Sequence, residues 1–263
     1  MQHDCETATV ELLLEAGVRA ELLLGALERR QGSRPSAEHQ ETAAAPAEDR
    51  VQYEGAEGGE RLMDAEGKAV MMQWEEPLME AHAHVVARSG SDVLNVGFGL
   101  GLVDEAIQRR HPRTHTIIEA HPGVHARMLR DGWHKRPGVR IVFGRWQEAL
   151  AQLGRQFDGV FFDTYSEFYE DMRAFHEALP RLLRPGGVYS YFNGLAADNA
   201  FFHRVYCEVV KRELATLGFD TQFVALPSDA AVANEVWEGV RNRYWRLDTY
   251  MLPVCQLEDT VEQ

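Results

Sequence analysis

Cysteine is scarce: Cys5, Cys207 and Cys255 are the whole complement of 263 residues, odd in number, far apart and in no C-x-x-C pair. That excludes a disulfide framework and a cysteine zinc site, and it predicts a reducing compartment. Long apolar runs are missing as well, since no stretch approaches the roughly 20 residues that cross a bilayer. The start, Met1-Gln2-His3-Asp4-Cys5-Glu6, has no basic segment, and Leu12-Leu13-Leu14 is too short for a signal core. The expectation is a soluble intracellular protein, cytoplasmic or nuclear, with no membrane partner. Positive charge is in deficit: 27 Lys and Arg stand against 41 Asp and Glu, a net charge of −14 and a pI near 5.2. A sequence-independent grip on nucleic-acid phosphates needs clustered cations and is excluded. The surplus acid suits a basic protein partner, and serves solubility equally well. No metal site is expected either, because His82 and His84, two apart, diverge on a helix.

What is present is 45% hydrophobic and 10% aromatic, enough for one good core plus an appendage. Its centre is Val93-Leu94-Asn95-Val96-Gly97-Phe98-Gly99-Leu100-Gly101-Leu102-Val103, an apolar strand pattern that enters three glycines and leaves as a helix. The first glycine lets the strand turn sharply, and the second lets backbone approach a ligand. A dinucleotide fingerprint needs its third glycine at position 102, which is Leu102. The spacing G-x-G-x-G is instead the form associated with S-adenosylmethionine (SAM) in Rossmann-like methyltransferases. Glu119 ends the next strand about 20 residues on, where a carboxylate accepts from both ribose hydroxyls.

In chain order, residues 1–28 read as two short helices. Val10-Glu11-Leu12-Leu13-Leu14-Glu15-Ala16-Gly17 resembles part of an ankyrin repeat, and a plain helical hairpin fits as well. Residues 29–50 have almost no large apolar side chain and read as a flexible linker. Residues 51–255 form the main domain, and 256–263 a tail. Val70-Met71-Met72-Gln73-Trp74-Glu75-Glu76-Pro77-Leu78-Met79 opens a helix with Pro77 in its first turn. Glu75 and Glu76 either favour the positive helix end or belong to a lid over a cation.

From there strand patterns at 92–97, 114–119, 139–143, 157–162 and 187–193 alternate with helices near 102–110, 122–132, 146–153, 168–182 and 198–217. The alternation predicts a parallel sheet with helices on both faces and a ligand site beyond the strands' carboxyl ends. The segments at that edge include Glu119, Ala120 and His121. Trp146 and Gln147 also fall there, where a ring stacks on adenine and an amide meets its edge, or where the tryptophan simply fills core. Asp163 ends the apolar strand Val160-Phe161-Phe162, positioned for chemistry or for capping a helix.

The 70–79 segment, Val96-Gly97-Phe98-Gly99-Leu100-Gly101, Ile117-Ile118-Glu119-Ala120-His121-Pro122, Gly144-Arg145-Trp146-Gln147 and Phe161-Phe162-Asp163-Thr164-Tyr165 resemble successive motifs of guanidinoacetate methyltransferase and its relative, the fungal and plant type IV protein arginine methyltransferase. Phe192-Asn193-Gly194-Leu195-Ala196-Ala197-Asp198 and Tyr244-Trp245-Arg246-Leu247-Asp248-Thr249-Tyr250 are closer to the type IV branch. No copy of the double-glutamate loop of ω-nitrogen arginine methyltransferases is recognisable. The resemblance implies a Rossmann-like SAM-dependent methyltransferase acting on the internal δ nitrogen of arginine in a basic, ribosomal protein. A small-molecule guanidino methyltransferase and a non-catalytic SAM-binding scaffold are the alternatives. It implies Asp163 and Glu75 as the reacting pair, with Glu167 a third acid. It implies SAM held by residues 97–103, Glu119 and Trp146, with Tyr53, Met71 and Met79 over its methionine end.

Overall fold

The computed structural model describes residues 51–56, 59–165, 169–228, 231 and 233–258. The stretches read as helices at 1–28 and as linker at 29–50 lie outside these residues, as does Glu167. The described chain opens with a three-stranded antiparallel sheet, β1 (Gln52–Ala56), β2 (Gly59–Met63) and β3 (Ala69–Met72), in that spatial order. Tyr53 pairs with Leu62 and Leu62 with Met71, so the register carries Tyr53 and Met71 to one line across the sheet. A 3-10 turn at Gln73–Glu75 leads into helix α1 (Glu76–Val86). Pro77 lies in its first turn, where a missing N–H leaves no bond unmade.

The main sheet contains β4 (Asp92–Val96), β5 (Thr114–Glu119), β6 (Val139–Phe143), β7 (Phe157–Phe162), β8 (Leu183–Tyr191), β9 (Phe219–Pro227) and β10 (Thr249–Leu257), in the order β6-β5-β4-β7-β8-β10-β9. Strands β4 to β8 run parallel, as the alternation predicts. The expectation of a wholly parallel sheet is corrected at one edge, because β10 is antiparallel to both β8 and β9. Strand β9 buries Phe219 and Thr221 and exposes Asp220 and Gln222, an alternation weaker than the continuous apolar runs of buried parallel strands. Strand β10 also runs to Leu257, into the stretch read as a tail. The order in which strands are added reverses at β4, which has β5 on one flank and β7 on the other, all three parallel. That places the topological switch point at its carboxyl end, where the glycines are.

Helices α2 (Leu102–Gln108), α3 (Pro122–Arg130), α4 (Trp146–Ala149), α5 (Tyr169–Leu182) and α6 (Ala200–Thr216) complete the layers. Side chains alternate across a strand, and the core divides accordingly. Leu94, Val96, Val160 and Phe162 pack with Phe175 and Leu179 of α5 and Val210 of α6. Val93 and Phe161 pack on the other face with Met79 and Ala83 of α1, Ile107 of α2 and Met128 of α3. Each such side chain contributes about 1.5–3 kcal/mol on burial. A third cluster joins Met72, Trp74 and Leu78 to Trp237, Trp245, Tyr250 and Leu252. This last cluster brings the turn before α1 against the C-terminal strand, and so sets the geometry of the site.

Candidate active site

Gly97 leaves β4 at φ +92°, and a Cβ there would lie 1.8 Å from the Asp163 carbonyl oxygen. The two strand ends therefore touch, with Asp163 N–H donating to Val96 O at 2.9 Å. Only glycine permits both the torsion and the approach. Gly99 and Gly101 also have positive φ, at +57° and +77°, and the meander holds the loop they form. Tyr53 OH donates to Gly99 O at 3.3 Å, and Leu100 N–H donates to Met71 Sδ at 3.3 Å. Phe98 is buried edge-on to Trp133, while Leu102 and Val103 begin α2. Beneath the loop the Asn95 amide donates to Gly97 O and to Asp104 Oδ1, each at 2.8 Å. Met79 is fully buried in the core on the same side.

Glu119 closes β5 beside this loop and is buried. Its carboxylate accepts from Phe98 N–H at 2.9 Å and from His121 N–H at 2.6 Å. Burial pushes its carboxyl up from the ordinary range, and those backbone donors oppose the shift. Two donors leave about half of a carboxylate's acceptor sites open. Ala120 is exposed, and the His121 ring caps α3 by accepting from Gly123 N–H at 3.0 Å and Val124 N–H at 3.3 Å. Trp146 is buried at the start of α4, edge-on to Phe162 and Phe175, and Gln147 beside it is exposed.

The two acids before Pro77 part company. Glu76 is exposed at the helix start, whereas Glu75 is 2% exposed and turned inward. Its Oε1 accepts from Met72 N–H at 2.8 Å and from the Tyr244 hydroxyl. Burial first, and the negative charge of Asp163 second, push the Glu75 carboxyl up to about 8. Asp163, partly exposed, is pushed up to about 7 by desolvation and by the buried Asp104 carboxylate. Its carboxylate makes no hydrogen bond among the described residues. Two acids from segments far apart in sequence thus face one another electrostatically at the carboxyl edge of the sheet.

Aromatic side chains wall this pair. The Tyr244 ring lies 4.9 Å from Trp237 and 5.9 Å from Trp74, and Tyr250 lies 5.3 Å from Trp245, centroid to centroid. His82, buried on α1, is tied into the same wall. Ser190 Oγ donates to Pro253 O at 2.5 Å, so it accepts from His82 Nδ1 at 2.7 Å. Nε2 then accepts from Tyr250 OH at 2.7 Å, and the Tyr250 oxygen accepts from Asn193 N–H at 2.8 Å. Burial lowers His82 to about 3, so the ring is neutral and holds Tyr250 and Asn193 in place.

Sequence reading put Asp163, Glu119 and the glycine loop at one edge and paired Glu75 with Asp163 by resemblance, and in the structure these residues lie together there. It missed the hydroxyl of Tyr244, the tyrosine–histidine wall and the buried Asp104 that acts on Asp163. No local spacing signals them, since Tyr244 meets Glu75 across 169 positions. A cavity of about 620 Å³ lined by Glu80, His84, Arg88, Arg109 and Arg110 holds none of these residues. Two acids with raised pKa values beside aromatic rings, Glu75 buried and Asp163 partly exposed, are an arrangement able to receive a cation and to accept a proton from it.

The family model described as guanidinoacetate N-methyltransferase matches residues 37–226. A protein named protein arginine N-methyltransferase 2 from Aspergillus oryzae is 44% identical over 207 residues, covering 76% of this chain and 49% of its own. The protein of that name from Aspergillus fumigatus is 36% identical over 299 aligned positions, covering 96% of this chain and 70% of its own. For the one from Saccharomyces cerevisiae the identity is 37% over 202 residues, with 73% and 48% covered. The chain spans about half the length of most of these relatives. Among solved structures, spermidine synthase from Thermotoga maritima superposes with a TM-score of 0.58 at 15% identity, covering 81% of this chain and 71% of that one. At that identity the likeness is one of fold.

Proposed function

This chain belongs to the guanidinoacetate N-methyltransferase family, with fungal relatives named protein arginine N-methyltransferase 2, and from that premise we propose that it transfers a methyl group from SAM to an arginine of a protein substrate. The finer reading is the internal δ nitrogen as acceptor and a basic ribosomal protein as substrate, met in the cytoplasm or nucleus. One observation carries the reading: Glu75 and Asp163, both with raised pKa values, share an aromatic-walled site next to the glycine loop.

The residues at the loop fit SAM. Glu119 keeps acceptor sites for the ribose hydroxyls, and residues 97–103 supply backbone and apolar contact. Tyr53, Met71 and Met79 lie on the side assigned to the methionine end, and Trp146 with Gln147 on the adenine side. When bound, SAM supplies a methyl group on a positively charged sulfur. Arginine arrives as a second cation, because guanidinium stays protonated in proteins. Glu75 and Asp163 pair its planar fork, offset the repulsion between the two cations and hold the nucleophilic nitrogen toward the loop. As the N–C bond forms the methyl–sulfur bond would break, its electron pair passing to sulfur to leave the neutral thioether S-adenosylhomocysteine, and the nitrogen loses a proton to a carboxylate oxygen of the pair, whose pKa near neutrality suits the task. The aromatic rings exclude water and strengthen each of these charge interactions.

The test is incubation with labelled SAM and either ribosomal proteins or guanidinoacetate, followed by fragment-ion mass spectrometry of the product. The expected product is δ-monomethylarginine. Label in creatine transfers the assignment to a small-molecule acceptor, ω-methylarginine overturns the δ position, and SAM binding without transfer favours a scaffold.

A further inference from the structure

A carboxylate that must meet a planar guanidinium needs its own plane fixed, and the last torsion of a glutamate is soft. Glu75 has both of its hydrogen bonds on one oxygen: Oε1 accepts from Met72 N–H, at the end of β3, and from Tyr244 OH, in the segment before β10. Oε2 accepts from nothing among the described residues. The tyrosine ring is itself held between Trp74 and Trp237, so the hydroxyl has little freedom. We propose that Tyr244 is a positioning residue, anchoring Oε1 of Glu75 so that Oε2 is presented to the substrate cation.

The proposal deepens the methyl-transfer reading and rests on it for its kinetic consequence, though not for its effect on Glu75. The groups that face Glu75 are Asp163 at the end of β7, Tyr250 on β10, Tyr244 and the Met72 N–H. Asp163 raises the Glu75 carboxyl, and the two hydrogen bonds lower it. Removing the hydroxyl therefore leaves the charged form less favoured, and the group titrates at higher pH.

Tyr244→Phe keeps the ring and deletes the donor. Isotope-edited carboxyl titration, assigned through Glu75→Gln, should show the Glu75 midpoint moving up by about one pH unit, the size of a lost hydrogen bond to a charged group. The acidic limb of the transfer rate should move the same way. At pH 7 kcat should fall about tenfold, with SAM affinity unchanged. Fluorotyrosine at position 244 keeps the shape, strengthens the donor and must move the midpoint down, which keeps the test sharp if the phenylalanine variant folds poorly. A midpoint indifferent to both changes overturns the proposal whatever the activity. Absence of arginine methylation by the unaltered chain overturns the functional reading instead, and leaves the titration to decide the role of Tyr244.

Discussion

Replacing Glu75 by Gln should make the unliganded protein more stable at pH 8 while abolishing transfer. The Glu75 carboxyl rises from 4.5 to about 8 on folding. A carboxyl whose folded pKa is raised binds its proton more tightly in the native state, so the associated stability is present below the unfolded pKa and is lost as pH climbs toward the folded one. At about 1.4 kcal/mol per pH unit, the full rise corresponds to about 5 kcal/mol lost by pH 9. Relaxation around a coupled acid pair reduces that to about 2–4 kcal/mol. Glutamine keeps the oxygen that accepts from Met72 N–H and Tyr244 OH and removes only the ionisation. At pH 8 the variant should gain about 2–4 kcal/mol, or about 5–15 °C in Tm for a domain of this size, and at pH 5 less than about 1 kcal/mol. Urea titration followed by tryptophan fluorescence at the two pH values measures it. A variant that is destabilised, or gains equally at both pH values, refutes the claim that a buried, cation-less carboxylate strains this fold.

Asp163→Asn should retain SAM affinity by calorimetry and lose at least about 100-fold in transfer rate, the lower range for removing a group that accepts a proton in the transition state; turnover at the unaltered rate rules out its role. Glu119→Ala should weaken SAM binding by about 1.5–3 kcal/mol, roughly 10- to 150-fold in Kd, and unchanged affinity sinks the ribose assignment. Gly97→Ala places a methyl 1.8 Å from the Asp163 carbonyl at φ +92°, and should cost about 3 kcal/mol or more in urea titration.

The parallel half of the sheet was legible because its central strands, β4, β5 and β7, are buried on both faces. Asp92–Val96 is buried at every position, and such runs stand out from the helices between them. The first sheet was not legible, since its strands are four or five residues long and the first two carry a glutamate and a glycine each. Strands β9 and β10 were obscured by Pro227 and Pro253, which punctuate a sequence as turn signals do although both lie on strands here. Among site residues, Asp163 and Glu119 announced themselves by ending apolar strands. Glu75 had two readings until the fold separated it from Glu76. Tyr244 stood out only as part of a motif resembling the type IV branch, with no role attached, because its meaning lies in a contact with a residue brought to it by Trp74, Trp237 and the third core cluster.

The same chain shows what an acid with an internal partner looks like. Asp92 accepts from Arg113 and Arg184, and the Arg113 guanidinium first, with Thr114 and Arg184, holds its carboxyl well below the usual range. Glu75 and Asp163 have no such cation among the described residues, and their carboxyls move the opposite way. Desolvating two like charges beside one another opposes folding, and a hydrophobic pair of similar volume would remove that cost. Arginine is not lacking in this chain, yet among the described residues none is paired with either acid. On the proposed reading the substrate supplies the cation that completes the pair, and a planar guanidinium matches two carboxylates held by separate segments better than a compact ammonium does. On that reading substrate binding relieves the strain that the free protein carries, and the pair loses its protons as the cation arrives.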